Sequence, residues 1–176
     1  MTRFLPLGLV LLLLALPALA QEEEQPAQRC ADLPPAVAKT HDAIRAAAGA
    51  QDYAALATLI DRAIFTYSFG DEGGDPITFW KGLASDGTDV PATMVALLDM
   101  PCVTFQGDEG GPYYEWPSAA EVPYPDLTEK EVAALDKLYA GHLADNYIED
   151  PQTGYYVGWR ILIDKDGRWT AFVAGD

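Results

Sequence analysis

Carboxylates are the chemical groups that this sequence repeats in a recognisable pattern. The string GDEGG occurs twice, over residues 70–74 and 107–111, and each copy follows a predicted strand. A duplication would place both acidic loops at one edge of a sheet, whereas convergent turn chemistry would give the same string, because Asp and Gly favour chain reversals. If the loops converge, they offer the dense oxygen ligands that Ca²⁺ prefers. The candidate metal ligands are Asp71, Glu72, Asp75, Asp108 and Glu109.

A second candidate site lies in the segment 107–125, which is rich in Gly, Pro and aromatic residues and is predicted to be a long irregular loop. Exposed rings in such a loop would stack on a sugar or a hydrophobic peptide group at low entropic cost. The same rings could instead pack under the loop and seal the sheet. The candidate ligand-binding residues are Tyr113, Tyr114, Trp116 and Tyr124.

Two histidines are the remaining candidates for acid–base or metal chemistry. His41 and His142 lie on or beside apolar stripes, and Asp145 stands one turn beyond His142. Either histidine could act as a general base, or it could sit at the margin of the core with a satisfied hydrogen bond. No serine lies in a G-x-S-x-G context, so a Ser–His–Asp site has little support. We therefore assign no catalytic residue and no cofactor besides the possible Ca²⁺.

The first 20 residues have the features of a signal peptide. Arg3 provides the positive charge, an apolar run follows, and Ala18-Leu19-Ala20 matches the small-x-small cleavage pattern. The run ends at an acidic stretch and is too short to span a bilayer, which needs about 20 apolar residues. We expect a periplasmic or secreted protein with no membrane span after cleavage.

Export bears on the two cysteines, Cys30 and Cys102. An oxidising compartment favours a disulfide between them, and it would pin the acidic leader predicted over residues 21–33 to the domain. The net charge of −16 argues against a nucleic-acid partner, because a phosphate backbone requires a basic face.

The elements that must position these groups are predicted over residues 34–176, as a single globular domain. Proline and capping signals start helices at residues 35, 52, 75, 91 and 128, and strands are expected over residues 64–69 and 102–105. A C-terminal hairpin with the three-residue loop 165–167 pairs Asp164 with Arg168 and assigns Trp159, Ile161, Ile163, Trp169, Ala171 and Val173 to one face. The fold class is α+β, with four or five helices packed on a small, mainly antiparallel sheet that ends in this hairpin.

Taken together, these features favour an exported, non-enzymatic domain that binds an envelope protein or a glycan through the aromatic segment and its acidic neighbours. Two alternatives stay open. One is a carboxylate-dependent hydrolase that acts on envelope glycans, since acidic pairs of that kind are defined by spatial separation rather than by sequence spacing. The other is a calcium-stabilised structural module.

Overall fold

The structure is a computed structural model that describes residues 26–69, 74–107 and 111–175. These residues form five α-helices: α1 (Pro35–Gly49), α2 (Tyr53–Thr58), α3 (Pro76–Ser85), α4 (Val90–Leu98) and α5 (Glu129–Leu138). They also form seven strands: β1 (Gln28–Arg29), β2 (Val103–Gly107), β3 (Gly111–Trp116), β4 (Tyr147–Ile148), β5 (Tyr155–Tyr156), β6 (Arg160–Asp164) and β7 (Trp169–Val173). Three short 3-10 helices span Ser118–Ala120, Tyr124–Asp126 and Leu143–Asn146. The predicted α+β class is confirmed.

The main sheet has five antiparallel strands in the order β1-β2-β3-β6-β7, and β4 pairs with β5 in a separate two-stranded sheet. Because side chains alternate along a strand, Trp116 and Ile161 face the helices, and so does Ile163 opposite Tyr114. Glu115 and Leu162, directly opposite each other, lie on the reverse face.

Four of the five described helices begin where a short polar side chain accepts backbone N–H groups, whereas α1 begins at Pro35 without such a cap. The caps of α2, α3 and α5 are as predicted, and α4 begins at Val90, one residue before the predicted Pro91. Asp52 accepts from Ala54 and Ala55 at the start of α2, and Asp75 and Asp89 cap α3 and α4 in the same way. Thr128 and Glu131 form the predicted capping box of α5. These confirmed starts hold the ends of the helices at defined positions against the sheet.

The C-terminal hairpin has the predicted three-residue loop. The Asp164 N–H donates to the Arg168 carbonyl at 3.0 Å, and Gly167 adopts a φ of 79°, which favours glycine. Ile163 pairs with Trp169, but a register shift after this pair places Phe172 opposite Ile161. The predicted assignment of side chains to one face is therefore confirmed for Ile161, Ile163 and Trp169. It is wrong for Ala171 and Val173, which lie on the same face as Leu162 and Arg160. The bulge is the physical reason, because one extra residue inverts the alternation.

The main core lies between the helices and the sheet and is built on aromatic rings. Trp80 stacks on Trp169 with ring centroids 5.8 Å apart, and Phe172 meets Trp80 edge to face and stacks on Trp159. Trp80 and Trp169 are fully buried, as predicted, and Trp159 is partly buried. A smaller core joins α5 to the β4–β5 hairpin through Met100, Ala119, Leu135, Leu143, Tyr147 and Tyr156.

Two predicted segments differ from the structure. Residues 64–69 form no regular strand; Thr66 makes only an isolated parallel bridge with Ala171. The predicted irregular loop 107–125 is wrong in its first half, because residues 111–116 form β3 at the centre of the sheet. Its second half contains two 3-10 helices.

A disulfide joins Cys30 to Cys102, as predicted, with the two Cα atoms 5.5 Å apart. It lies beside the pairing of β1 with β2, so Gln28 and Arg29, which belong to the predicted leader, are part of the sheet rather than mobile. The predicted signal peptide and residues 21–25 of the leader lie outside the described residues. None of the described helices has the length and the apolar character that crossing a bilayer requires.

Candidate ligand-binding site

A cavity of about 220 Å³ separates the segment 119–125 from the β4–β5 hairpin, and we call it the tyrosine cleft. Its walls combine aromatic rings, rigid prolines and one acidic side chain. The residues that define it are Glu121, Pro123, Tyr124, Pro125, Tyr147, Tyr155 and Tyr156. Tyr155 is 56 % exposed, so its ring is open to a partner.

Local hydrogen bonds hold the two walls of the cleft. On one side the Ser118 N–H donates to the Pro101 carbonyl at 2.8 Å, which fixes the first 3-10 helix against the end of α4. On the other side Tyr147 pairs with Tyr156 across the hairpin, and the Gly154 N–H donates to the Asp150 carbonyl at 2.7 Å to close its turn. Both walls are therefore held by backbone contacts rather than by side chains alone.

The rings inside the cleft contact one another edge to face, a favourable arrangement for aromatic pairs. The Tyr124 and Tyr147 centroids lie 5.8 Å apart at 88°, and those of Tyr147 and Tyr156 lie 5.6 Å apart at 70°. The Tyr156 hydroxyl hydrogen-bonds the Tyr139 hydroxyl at 2.6 Å and donates to the Trp159 carbonyl at 3.1 Å. Tyr156 is thus fully engaged within the protein.

Tyr147 has no such partner. The residue is only 7 % exposed, and its hydroxyl is buried without a hydrogen bond among the described residues. Desolvation, reinforced by Tyr124 and Tyr139, raises the pKa of Tyr147 to about 12, so the hydroxyl is neutral and can both donate and accept. A buried hydroxyl without a partner carries a desolvation cost that a bound group can remove.

Two carboxyl groups and a guanidinium lie next to the cleft. Glu115 is 3 % exposed and stands between the apolar side chains of Val103 and Leu162 on the reverse face of the sheet. Desolvation raises the pKa of Glu115 to about 8; the charge of Glu121 adds to the rise, and that of Arg160 opposes it. Desolvation also raises the pKa of Glu121, again against Arg160. One Glu115 oxygen and the Arg160 Nε are buried without partners among the described residues.

A larger groove of about 780 Å³ lies between α4 and α5, on the other side of the Tyr139–Tyr156 hydrogen bond. None of its described polar side-chain atoms is both buried and without a partner. Asp89 caps α4, Asp99 pairs with Arg45, and the Tyr139 hydroxyl accepts from the Trp159 N–H at 2.9 Å. The groove therefore lacks the unpartnered polar atom that distinguishes the tyrosine cleft.

The structure separates the four aromatic residues that the sequence singles out. Only Tyr124 lines the cleft. Trp116 is 2 % exposed and packs in the main core beside His41, and Tyr114 packs against that core from the same strand. Tyr113 stacks on Phe105 across β2 and β3 with centroids 5.8 Å apart. A continuous strand, rather than a loop, is the reason that these rings point to opposite faces.

Of the five candidate calcium ligands, only Asp75 belongs to the described residues; Asp71, Glu72, Asp108 and Glu109 lie outside them. Asp75 caps α3 by accepting from the Thr78 N–H and hydroxyl, and it forms an ion pair with Arg62. These bonds lower the pKa of Asp75, with the Thr78 hydroxyl contributing most. Within the described parts of the chain, no three His, Cys, Asp or Glu side chains are grouped so that they could hold a metal ion.

Both histidines contact other residues of the protein outside the tyrosine cleft. His41 Nδ1 lies 2.9 Å from a carboxylate oxygen of Asp42 in the same helix, and His41 Nε2 lies 3.0 Å from the Leu98 carbonyl. Both ring nitrogens therefore have partners, and the contact with Leu98 ties α1 to α4. His142 is exposed, with Asp145 at 3.5 Å. Neither histidine lines the tyrosine cleft.

Sequence reasoning missed Tyr147, Tyr155 and Tyr156, which supply most of the rings. A usable signal was present: the turn residues of segment 149–154, which include Asp150-Pro151 and Gly154, separate Tyr147 from the Tyr155-Tyr156 pair. Aromatic residues on both sides of such a turn are typical of a hairpin.

Comparison of this chain with protein-family models, with curated proteins and with solved structures returned no match.

Proposed function

We propose that this chain is an exported, non-enzymatic binding domain that holds its ligand in the tyrosine cleft. The observation that carries the proposal is Tyr147, which lines a preformed aromatic cavity and whose hydroxyl is buried beneath the cavity wall without a partner among the described residues. Functional sites are where proteins retain such uncompensated polar groups, because the ligand supplies the missing bond.

A binding role accounts for the chemistry of the cleft better than hydrolysis does. The carboxyl group with a strongly raised pKa, Glu115, is almost fully buried between Val103 and Leu162, so it is closed to a substrate in this structure. Both ring nitrogens of His41 are engaged. The disulfide fits an oxidising compartment outside the cytosol, which supports export.

A pair of matched substitutions tests the role of the Tyr147 hydroxyl. Tyr147→Phe removes a buried group without a partner, so the free energy of unfolding of the unliganded protein should rise by about 1 kcal/mol. Tyr156→Phe removes a hydroxyl that makes two bonds, so the free energy of unfolding should fall by about 1 kcal/mol. Chemical denaturation of both variants and the wild type measures the difference.

The same variants are then titrated with soluble glycan fragments and with short peptides, and binding is followed by NMR. Tyr147→Phe should weaken the binding of the recognised class about ten-fold, since a hydrogen bond to a ligand is lost. Ala96→Leu, which fills the α4–α5 groove, is the control and should leave that affinity unchanged. A lower free energy of unfolding for Tyr147→Phe than for wild type would contradict the proposal. Ligand binding that is abolished by Ala96→Leu but not by Tyr147→Phe would also contradict it.

A further inference from the structure

We infer that the ligand of the tyrosine cleft is a cationic group on an aliphatic stem, the chemistry of a lysine or arginine side chain; this inference rests on the proposed function. Its basis is the combination of an exposed aromatic ring, an acidic rim, a buried hydroxyl without a partner in the cleft wall and a small cavity, all contributed by the residues around Tyr124 and Tyr147.

The electrostatics of the cleft favour a cation. Glu121 lies among its lining residues, and none of the described lining residues is basic. The nearby guanidinium of Arg160 offsets part of the negative charge of Glu121. Arg160 does not itself line the cleft, and its Nη2 donates to the Gly175 carbonyl at 2.7 Å. The chain as a whole has a net charge of −16, which attracts basic partners over long distances at low salt.

The tyrosine rings provide the second element of recognition. A cation within about 6 Å of an aromatic face is attracted by the negative charge above the ring. Tyr155 offers an exposed ring, and Tyr124 and Tyr147 line the cavity beside it. The apolar walls formed by Pro123 and Pro125 suit the methylene stem of such a group.

The Tyr147 hydroxyl completes the site. An ammonium or guanidinium group carries only donors, so it would use this hydroxyl as an acceptor once its entry displaces the side chains that cover the hydroxyl, while Glu121 neutralises its charge. The cavity of about 220 Å³ is smaller than the roughly 300–1,000 Å³ that hold whole drug-sized molecules. It is therefore suited to one side chain or one small amine.

The test titrates the purified chain with acetyl-Gly-Lys-Gly-amide, with the arginine and norleucine analogues of this peptide, and with cadaverine. The lysine or arginine peptide should bind about ten-fold more tightly than the neutral norleucine peptide, and high salt should weaken that binding. Tighter binding of the peptides than of cadaverine identifies a protein as the source of the cation, and the reverse order identifies a free amine. Either order supports the inference.

Variants test whether the cation binds through the acidic side chain and the exposed ring of the cleft. Glu121→Gln and Tyr155→Leu should each weaken binding of the basic peptides about three-fold, as expected for a partly exposed charge pair or ring contact. Glu129→Gln, an exposed residue of α5 that does not line the cleft, is the matched control and should have no effect.

Equal binding of the lysine and norleucine peptides would overturn the inference. Binding of a glycan fragment that is weakened by Tyr147→Phe would also overturn the inference, because the ligand of the cleft would then be a glycan. The proposed function would still hold in that case. If no basic peptide, neutral peptide, amine or glycan fragment binds, both the inference and the proposed function fail.

Discussion

Glu115 shows how one position in a strand determines the ionisation of a side chain. The antiparallel register places it directly opposite Val103 on one side and Leu162 on the other, on the reverse face of the sheet. Water is excluded from this position, and the unpartnered oxygen has no described hydrogen bond to offset the lost hydration. Desolvation, followed by the charge of Glu121, raises the pKa to about 8 in spite of Arg160.

This shift predicts the pH dependence of stability at the residue scale. A carboxyl group whose pKa is higher in the folded than in the unfolded state stabilises the fold below the unfolded value, near 4.5, and that stability is lost as pH rises toward 8. Glu115→Gln removes the dependence. Its free energy of unfolding should therefore rise relative to wild type by up to about 1.4 kcal/mol per pH unit between pH 5 and pH 8.

The measurement is urea denaturation of wild type and Glu115→Gln at pH values from 4.5 to 9. The exposed Glu129→Gln is the control, and its difference from wild type should stay constant. If the difference in free energy of unfolding between Glu115→Gln and wild type is equally independent of pH, this carboxyl group ionises normally in the folded protein.

At the scale of secondary structure, the parts of the fold that the sequence predicts well are those with local causes. Asp52 and Thr128 cap helices whose starts can be recognised within four residues, and the loop at Gly167 fixes the pairing next to the hairpin turn. Local sequence signals of this kind need no knowledge of the rest of the chain.

The parts that the sequence does not predict depend on pairing between distant segments. Strand β3 begins with Gly-Pro, which disfavours a strand by composition, yet it becomes central because β2 and β6 pair with it on both sides. Residues 64–69 have the composition of a strand but obtain only an isolated bridge. In the same way, the tyrosine cleft unites Tyr124 with Tyr147, which only tertiary folding brings together.

The polar contacts at the start of helix α5 converge on one carboxylate, that of Glu131. Glu131 completes the capping box with Thr128, accepts a hydrogen bond from the Ser118 hydroxyl and pairs with Arg29 of β1. Desolvation alone would raise the pKa of Glu131, but the hydrogen bonds from Ser118 and Thr128 and the charge of Arg29 outweigh it and lower the pKa. One side chain thus connects the helix, the first 3-10 helix and the edge strand.

Glu131→Ala should lower the free energy of unfolding by about 2 kcal/mol, because Ser118 and the start of α5 each lose a buried partner. The lowered pKa also implies that the contribution of Glu131 is present at neutral pH and is lost as pH falls below about 4.5. Chemical denaturation at pH 7 and pH 3.5 compares this variant with Glu129→Ala, its neighbour in the same turn. Equal stability of the two variants at pH 7 would refute the proposed linkage.

For the molecule as a whole, charge and covalent linkage act in opposite directions. A net charge of −16 over 176 residues opposes the compact state through self-repulsion. The disulfide between Cys30 and Cys102 closes a sequence separation of 72 residues and holds β1 at the edge of the sheet. It stabilises the fold mainly by limiting the unfolded chain, and the chain-entropy relation gives about 4 kcal/mol for a loop of this length.

The Cys30→Ser and Cys102→Ser double variant should therefore lose about 4 kcal/mol in free energy of unfolding, and reduced wild type should lose a similar amount. Because repulsion is screened by salt, added NaCl should recover part of the loss in both forms. Guanidinium is itself a salt, so urea denaturation with and without NaCl is the appropriate measurement, and alkylation of the untreated protein checks that no free thiol is present. A double variant as stable as the oxidised protein, or thiols that alkylate without prior reduction, would show that the cross-link does not provide the stability that this acidic chain requires.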